Sequence, residues 1–284
     1  MSSRKAHGSR QKHGYCALTK RPGKLVKSHI IPEALTKPSV AGSPLVQHGL
    51  GCMPSQRWSS WYDDNLVTAE GESVLAELDN WGIRELRRLR LVWSGWEHRE
   101  QLEINEELHV PWQWLGIRRI VSADVRLLRR FLQSLLWRAA ATRRPEFAEV
   151  SLDANVSEQL RLVVLGDRPD DEFLPVYLVQ HSTKGPMHNR TPYADVLEQE
   201  IEIEGTPTPI HMPTLRFYFD GLVVHFVTAI PQFAPVQDLK RAFVGCNDAF
   251  YVATISYEES AERKGFDMLM NDYNRIQQTS RGGK

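Results

Sequence analysis

Residues 14–32 have the sequence GYCALTKRPGKLVKSHIIP, and this stretch decides how the N-terminal part of the chain folds. Two β-prone runs, residues 14–18 and 24–31, flank the segment KRPG at residues 20–23. Proline and glycine in such a segment favour a tight reversal between two extended segments. The pattern therefore predicts a β-hairpin whose second strand places His29 near its end.

The chain that follows the hairpin is predicted to be mainly helical up to residue 144. Residues 32–64 contain four prolines and three glycines, which favours a long irregular loop. Residues 73–93 and 123–141 carry apolar side chains at helical spacing, with arginines between them. Arg138 lies at the apolar side of the second helix, where it either pairs with a carboxylate or extends to solvent.

Beyond residue 150 the pattern becomes richer in β-structure. The Asp220-Gly221 pair between two apolar runs is a strong hairpin signal. The sequence as a whole predicts an α+β fold with a small ββα unit, a helical middle and a mixed, mostly antiparallel C-terminal part. The other segments expected there are strands at 160–165, 174–179, 200–204 and 252–257, and a helix at 260–276.

Composition excludes several classes of protein. The chain has 284 residues, of which 42% are hydrophobic and 25% charged, so it can bury a core and is not a disordered chain. Three cysteines are too few for a disulfide framework and favour a reducing compartment. No apolar run approaches the roughly 18 residues of a membrane span. We therefore expect a cytoplasmic protein without a membrane partner.

The formal net charge of zero conceals an uneven distribution. Residues 1–144 carry 23 basic against 14 acidic side chains, and residues 145–284 carry 12 against 21. The sequence therefore predicts three parts of the chain: a disordered basic arm (1–13), a finger with a helical region (14–144) and an acidic α+β accessory domain (145–284). The basic arm either neutralises nucleic-acid phosphates or simply keeps the terminus solvated.

The run Ser28-His29-Ile30-Ile31-Pro32, with Asn65 ahead of a helix, resembles the HNH, or His-Me finger, nuclease superfamily. The similarity is greatest to bacterial and phage HNH-like proteins with a Ser-His-Ile-Ile-Pro core. Similar stretches at 75–88 and 131–139 extend the resemblance over roughly residues 14–140. It implies a ββα-metal finger that hydrolyses phosphodiester bonds, in a phage or bacterial-defence context.

The resemblance also implies roles for individual residues. His29 would be the general base that deprotonates water, and Asn65 would orient its imidazole. A Mg²⁺ or Mn²⁺ ion would be held by Ser28 and His29, and a carboxylate of the following helix would supply the oxygen ligand that is otherwise missing: Glu70, Glu72, Glu77 or Asp79. The alternative for these carboxylates is stabilisation of the helix N-terminus.

The zinc-binding cysteines of the family are missing from this chain. Members of the family usually carry two Cys-x-x-Cys pairs. Here only Cys16 matches, and Thr19 occupies the second position of the first pair. The segment expected to hold the second pair, residues 68–73, is TAEGES. One thiolate cannot assemble a tetrahedral site, so no structural zinc is expected.

Two functions follow from these features. The first is a metal-dependent nuclease acting on DNA or RNA. The second is a catalytically degenerate HNH-like protein that binds nucleic acid or a partner without cleaving it. In either case a protein partner or a second copy would bind through residues 145–284. The basic side chains expected to contact phosphates are Lys20, Arg21, Lys24, Lys27, Arg84, Arg87 and Arg88.

Overall fold

The computed structural model describes residues 12–37, 45–49, 52–57, 60–103, 108–109, 115–168, 173–203, 205–234 and 236–282. These residues form a mixed α+β structure with two sheets. The small sheet contains three strands in the order β1 (His13–Tyr15), β2 (Pro22–His29) and β5 (Tyr62–Thr68). Helix α2 (Ala69–Arg88) follows β5 directly, so β2, β5 and α2 form a β-β-α unit.

The predicted N-terminal hairpin is confirmed. Strands β1 and β2 are antiparallel, with Tyr15 opposite Pro22, and β5 pairs antiparallel with the other edge of β2. The predicted helix at 73–93 is also confirmed, although α2 begins and ends earlier than expected. It ends at Arg88 because the chain turns there, and Arg90 adopts a left-handed backbone with φ 53°.

Helix α3 (Val125–Ala141) is the central helix of the structure and confirms the second helical prediction. Its N-terminus is capped by Asp124, whose side chain accepts a hydrogen bond from the backbone N–H of Leu127. Helices α2 and α4 (Ala154–Leu165) pack against it. The strand predicted at 160–165 is wrong, because this apolar run belongs to α4, capped by Asp153 and ended by Gly166 in a left-handed conformation.

The larger sheet has nine strands in the order β4-β3-β9-β10-β11-β8-β12-β7-β6. Among these described strands only the β3·β9 and β8·β12 pairs are parallel, so the mostly antiparallel prediction is confirmed. The hairpin predicted at Asp220-Gly221 is confirmed as the turn between β10 and β11. The bounds are β3 (Leu45–Gly49), β4 (Cys52–Arg57), β6 (Leu108–His109), β7 (Leu115–Val121), β8 (Val176–His181), β9 (His188–Ile203), β10 (Thr206–Phe219), β11 (Leu222–Val227) and β12 (Ala249–Ile255).

Three short or terminal helices complete the elements: α1 (Glu33–Thr36), α5 (Val236–Leu239) and α6 (Ala261–Gly282). The expectation of an irregular loop over 32–64 needs correction, since α1, β3 and β4 lie within it. The prolines and glycines there separate short elements instead of preventing them. Among the described helices, none has the length and apolar character needed to cross a membrane.

The larger sheet and the core both cross the predicted boundary at residue 144. Strand β3 pairs with β9, and β7 pairs with β12. A single hydrophobic cluster contains Cys16 of the finger, Leu132 of α3 and Phe217 of β10. Residues 14–144 and 145–284 therefore share one sheet and one core instead of forming two separate units. Residues 1–11 of the predicted basic arm lie outside the described residues, and His13 belongs to β1.

Candidate active site

His29 lies at the end of β2 with its ring half-buried. Its ring packs edge-on against Tyr62 of β5, with ring centroids 6.4 Å apart, and the Nζ of Lys27 lies 4.0 Å from the Tyr62 centroid. The Nε2 atom is buried and has no hydrogen-bond partner within the described part of the chain. Burial lowers the pKa of His29, and the nearby Lys27 charge acts in the same direction. The imidazole is therefore neutral near pH 7 and able to accept a proton.

The backbone that carries His29 is held by Arg138 of α3. The Nη1 atom of Arg138 donates to the His29 carbonyl at 3.0 Å and to Asp79 Oδ2 at 2.9 Å, and its Nη2 atom donates to Asp79 Oδ1 at 2.6 Å. The Arg138 side chain is 1% exposed. Of the two alternatives for Arg138, the structure shows pairing with a carboxylate. This contact ties the end of β2 to both α2 and α3.

Ser28 and Glu72 form the inner side of the same strand end. Ser28 is buried and its hydroxyl faces the Glu72 carboxylate of α2. Even so, Ser28 Oγ and Glu72 Oε2 are both buried without a hydrogen bond of standard geometry to any described residue. Burial raises the pKa of Glu72, and the Ser28 hydroxyl and Arg138 charge only partly offset this effect. Buried polar atoms in proteins usually have a hydrogen-bond partner, and here the Ser28 hydroxyl and the Glu72 carboxylate face each other.

Glu70 is not brought to His29. It is exposed and forms an ion pair with Arg21 at 2.8 Å, next to the opposite end of β2. The structure thus places Glu72 beside Ser28, the residue directly before His29, and places Glu70 at the other end of β2. Of the other two carboxylates expected as oxygen ligands, Glu77 is exposed and Asp79 pairs with Arg138.

The side chains at this end of β2 provide few ligands for a metal ion. The described residues contain no cluster of three or more His, Cys, Asp or Glu side chains suited to a metal. Mg²⁺ is often held by one or two carboxylates together with waters and substrate phosphates. The Glu72 carboxylate beside the Ser28 hydroxyl fits that kind of site, because its Oε2 is buried and unsatisfied.

Asn65 lies in an irregular part of β5, where the pairing with β2 shifts register between Val26 and Ser28. Its side chain is exposed, and its Oδ1 accepts a hydrogen bond from Lys12 Nζ. No hydrogen bond joins Asn65 to His29 within the described ranges, so the orienting role of Asn65 stays a prediction. The contacts that fix His29 in the structure come from Tyr62 and Arg138.

Cys16 and Thr19, the two positions of the first pair, lie beside Thr68 and Gly71 of the 68–73 segment, and these four residues are called the knuckle below. The backbone N–H of Thr19 donates to Cys16 Sγ at 3.4 Å, and a Cβ added at Gly71 would lie 2.5 Å from that sulfur. Burial raises the pKa of the Cys16 thiol, but hydrogen bonds with Thr19 and Thr68 hold it below its ordinary value. One thiol, two threonines and a glycine thus fill the knuckle by direct packing. This donor set does not suit zinc, and the expected lack of structural zinc remains a prediction.

The basic side chains of α2 are largely engaged within the protein. Arg87 donates to Ser94 Oγ and to the Ala34 carbonyl. Arg88 forms a two-pronged ion pair with Glu85, which lowers the pKa of Glu85 to about 2. Such pairs reduce the availability of these arginines for phosphate contact.

The hairpin lysines are better placed for phosphate contact than the α2 arginines. Lys20, Lys24 and Lys27 are all exposed along the finger. Arg84 is also exposed, and its Nε donates to the Asn80 carbonyl within its own helix. Among the predicted phosphate contacts, all of which the structure describes, the exposed lysines therefore lie on β2 and the turn that precedes it.

Tyr62 is a contributor to the site that the sequence analysis did not identify, and Asp79, expected there only as an oxygen ligand of the metal, instead forms the ion pair with Arg138. The position of Tyr62 directly before Asp63-Asp64-Asn65 is the only local signal for it. Asp79 follows Glu72 by seven residues, or two helical turns, which places both on one face of α2. The chain matches no protein-family model, no curated protein and no solved structure.

Proposed function

We propose that this protein is a metal-dependent nuclease of the HNH, or His-Me finger, type, with His29 as the general base. The observation that carries the proposal is geometric. His29 ends β2, the first strand of the β-β-α unit, and its Nε2 is buried with no partner among the described residues. Its carbonyl is fixed by Arg138. A general base needs this combination of a fixed position and a free ring nitrogen.

The residues of the site divide the work of phosphodiester hydrolysis. His29 accepts the proton of the attacking water, while Arg138 holds its backbone carbonyl and Tyr62 packs against its imidazole. Glu72, with Ser28 beside it, would hold a Mg²⁺ or Mn²⁺ ion. Such an ion, when bound, stabilises negative charge on the phosphate and on the leaving oxygen. Lys24 and Lys27 attract the phosphate backbone to this end of the hairpin.

A His29→Ala variant tests the proposal on plasmid DNA and on RNA, with Mg²⁺ and Mn²⁺. We expect its cleavage rate to fall about 100-fold or more, the usual contribution of a general base. His211→Ala is the matched control, because His211 is an exposed histidine on β10. Unchanged cleavage by His29→Ala would show that His29 is not the base.

A Glu72→Gln variant tests the metal ligand separately. We expect it to need a higher metal concentration for half-maximal cleavage, since a neutral amide binds Mg²⁺ more weakly than a carboxylate. Glu77→Gln, at an exposed position of the same helix, should behave like the wild type. Equal metal dependence of the two variants would remove Glu72 from the site.

The second candidate function is binding of nucleic acid without cleavage. Two observations favour it: among described residues no cluster offers three metal-binding side chains, and only Cys16 remains of the zinc knuckle. The same assays separate the two functions. Salt-dependent binding with no cleavage by the wild type in either metal would establish the binding function and refute the nuclease.

The partner expected for residues 145–284 remains a proposal with one structural support. Glu198, Glu200 and Glu202 alternate along β9 and are exposed. Alternate residues of a strand lie on the same face, so the three carboxylates form an acidic row. A basic surface of a second copy or of another protein suits this row.

A further inference from the structure

A cavity of about 790 Å³ opens on the finger next to the candidate active site. It lies between the small sheet and the segment that follows α3, and its lining includes Tyr15, Tyr62, Asn65 and Arg143. Ligand pockets typically have volumes of about 300–1,000 Å³, so the cavity has room for a nucleotide. The cavity does not contain His29, but Tyr62 belongs to both places, because its ring packs against the His29 ring.

Most of the acidic side chains in the lining are already paired. Asp63 accepts hydrogen bonds from Thr142 Oγ1 at 2.6 Å and from the backbone N–H of Asn65 at 2.8 Å. Glu146 accepts from Arg144 at 2.6 Å. These contacts engage two of the three carboxylates in the cavity lining, and the third is Asp64.

Arg143 is the basic side chain that remains available. It is exposed, and no ion pair or hydrogen bond engages its guanidinium within the described residues. Lys12 adds a second positive charge at the rim through its hydrogen bond to Asn65. The rim of the cavity therefore carries cations suited to a phosphate, and its interior offers the Asn65 amide and aromatic rings.

Tyr15 is the feature that identifies the type of ligand. Its side chain is 76% exposed at the end of β1, although it is a large aromatic residue on a folded strand. Base stacking on exposed aromatic side chains, combined with a positively charged groove, is the usual means of holding single-stranded nucleic acid. A base inside a duplex is already stacked on its neighbours and cannot enter such a cavity without being extruded.

We propose that this cavity binds one unstacked base of a single-stranded nucleic acid, with the base on Tyr15 and a neighbouring phosphate on Arg143. This inference deepens the proposed function, because it rests on the same finger and names the form of the substrate. The strand continues past Tyr62 to His29, which brings the adjoining phosphodiester to the general base. Specificity for single strands follows from the stacking site and not from the catalytic residues.

The test is the binding of a fluorescein-labelled oligonucleotide of about 12 nucleotides, measured by fluorescence anisotropy in EDTA. The same sequence is measured as a single strand and as a duplex. We expect the wild type to bind the single strand more tightly, and Tyr15→Ala to weaken that binding about tenfold. Tyr15→Phe should retain it, because phenylalanine also stacks. Tighter binding of the duplex by the wild type would overturn the proposal.

Matched controls separate the cavity from general loss of structure or charge. Phe233→Ala removes another exposed aromatic ring, and Arg126→Ala removes an exposed arginine of α3. Both should bind like the wild type, whereas Arg143→Ala should bind more weakly and with a smaller salt dependence. Equal affinity of Tyr15→Ala and Phe233→Ala would refute the stacking role.

Binding in EDTA does not depend on cleavage, so the two proposals fail in different ways. His211→Ala should bind the single strand as tightly as the wild type, since His211 is exposed on β10 and does not line the cavity. If the wild type does not cleave, the nuclease proposal fails and the cavity proposal is unaffected. Cleavage combined with Tyr15-independent binding refutes the cavity alone.

Discussion

Replacement of Asp79 by asparagine removes the negative charge that faces the buried guanidinium of Arg138. The Arg138 side chain is 1% exposed and that of Asp79 is 19% exposed, so water cannot replace the lost carboxylate fully. Removal of one partner from a buried ion pair costs about 3–5 kcal/mol. Asparagine keeps one acceptor oxygen, and Asp79 is partly hydrated, so we expect a loss of about 2–3 kcal/mol in the free energy of unfolding.

The same substitution should change the chemistry of His29. The Asp79 charge raises the pKa of His29, while burial and the Arg138 charge lower it. Without the Asp79 charge, the pKa of His29 should fall further below its ordinary value. Because Arg138 holds the His29 carbonyl, a displaced guanidinium should also reduce cleavage.

Urea unfolding measures the stability change, and NMR titration of the His29 ring protons measures the pKa. The matched control is Glu77→Gln, which removes a carboxylate from an exposed position of the same helix. The control should remain within about 0.5 kcal/mol of the wild type, as surface substitutions usually do. A similarly small effect of Asp79→Asn would refute the reasoning that Arg138 depends on this partner.

Two further predictions concern the knuckle and a buried turn. Gly71→Ala should lower the free energy of unfolding by about 1–3 kcal/mol, because its Cβ would lie 2.5 Å from Cys16 Sγ. Adding Cys16→Ala should recover part of this loss in urea unfolding, and full additivity would contradict the clash. Burial raises the pKa of Asp220 from 3.8 to about 7, so its stabilising contribution is complete below pH 3.8 and lost by about pH 7. Asp220→Asn keeps the acceptor for the Ser94 N–H. We therefore expect the variant to be more stable than the wild type at pH 8, by about 2 kcal/mol, and not at pH 4. The same pH dependence of stability in both proteins would refute this.

The parts of the structure that the sequence predicted depend on contacts between nearby residues. The hairpin around residues 20–23 and the helix ending at Ala141 are set by turn residues and by apolar spacing. The apolar run at 160–165 fits a strand and a buried helix equally well, and only the caps of α4 decide between them. The pairing of β3 with β9 joins segments about 140 residues apart, and no local pattern reports it.

The candidate site shows the same division. The position of His29 at a strand end follows from the local sequence, and the structure agrees with it. Which glutamate lies beside Ser28 does not follow, because Glu70 and Glu72 are two residues apart and point to different sides of α2. The direction of Asn65 depends on the register shift between β2 and β5, which no spacing rule reveals.

Two buried arginines hold the finger's backbone in place through its carbonyls. Arg161 of α4 donates through Nη1 to the carbonyl of Leu18 in the knuckle turn, at 2.6 Å, and its other nitrogens pair with Glu158. Arg138 of α3 does the same for the carbonyl of His29 at the far end of β2. Charged donors make strong hydrogen bonds to carbonyls, and each guanidinium here keeps a carboxylate partner. Since Arg161 lies beyond residue 144, the finger depends on the second half of the chain for its shape, and that half is part of the scaffold of the candidate site.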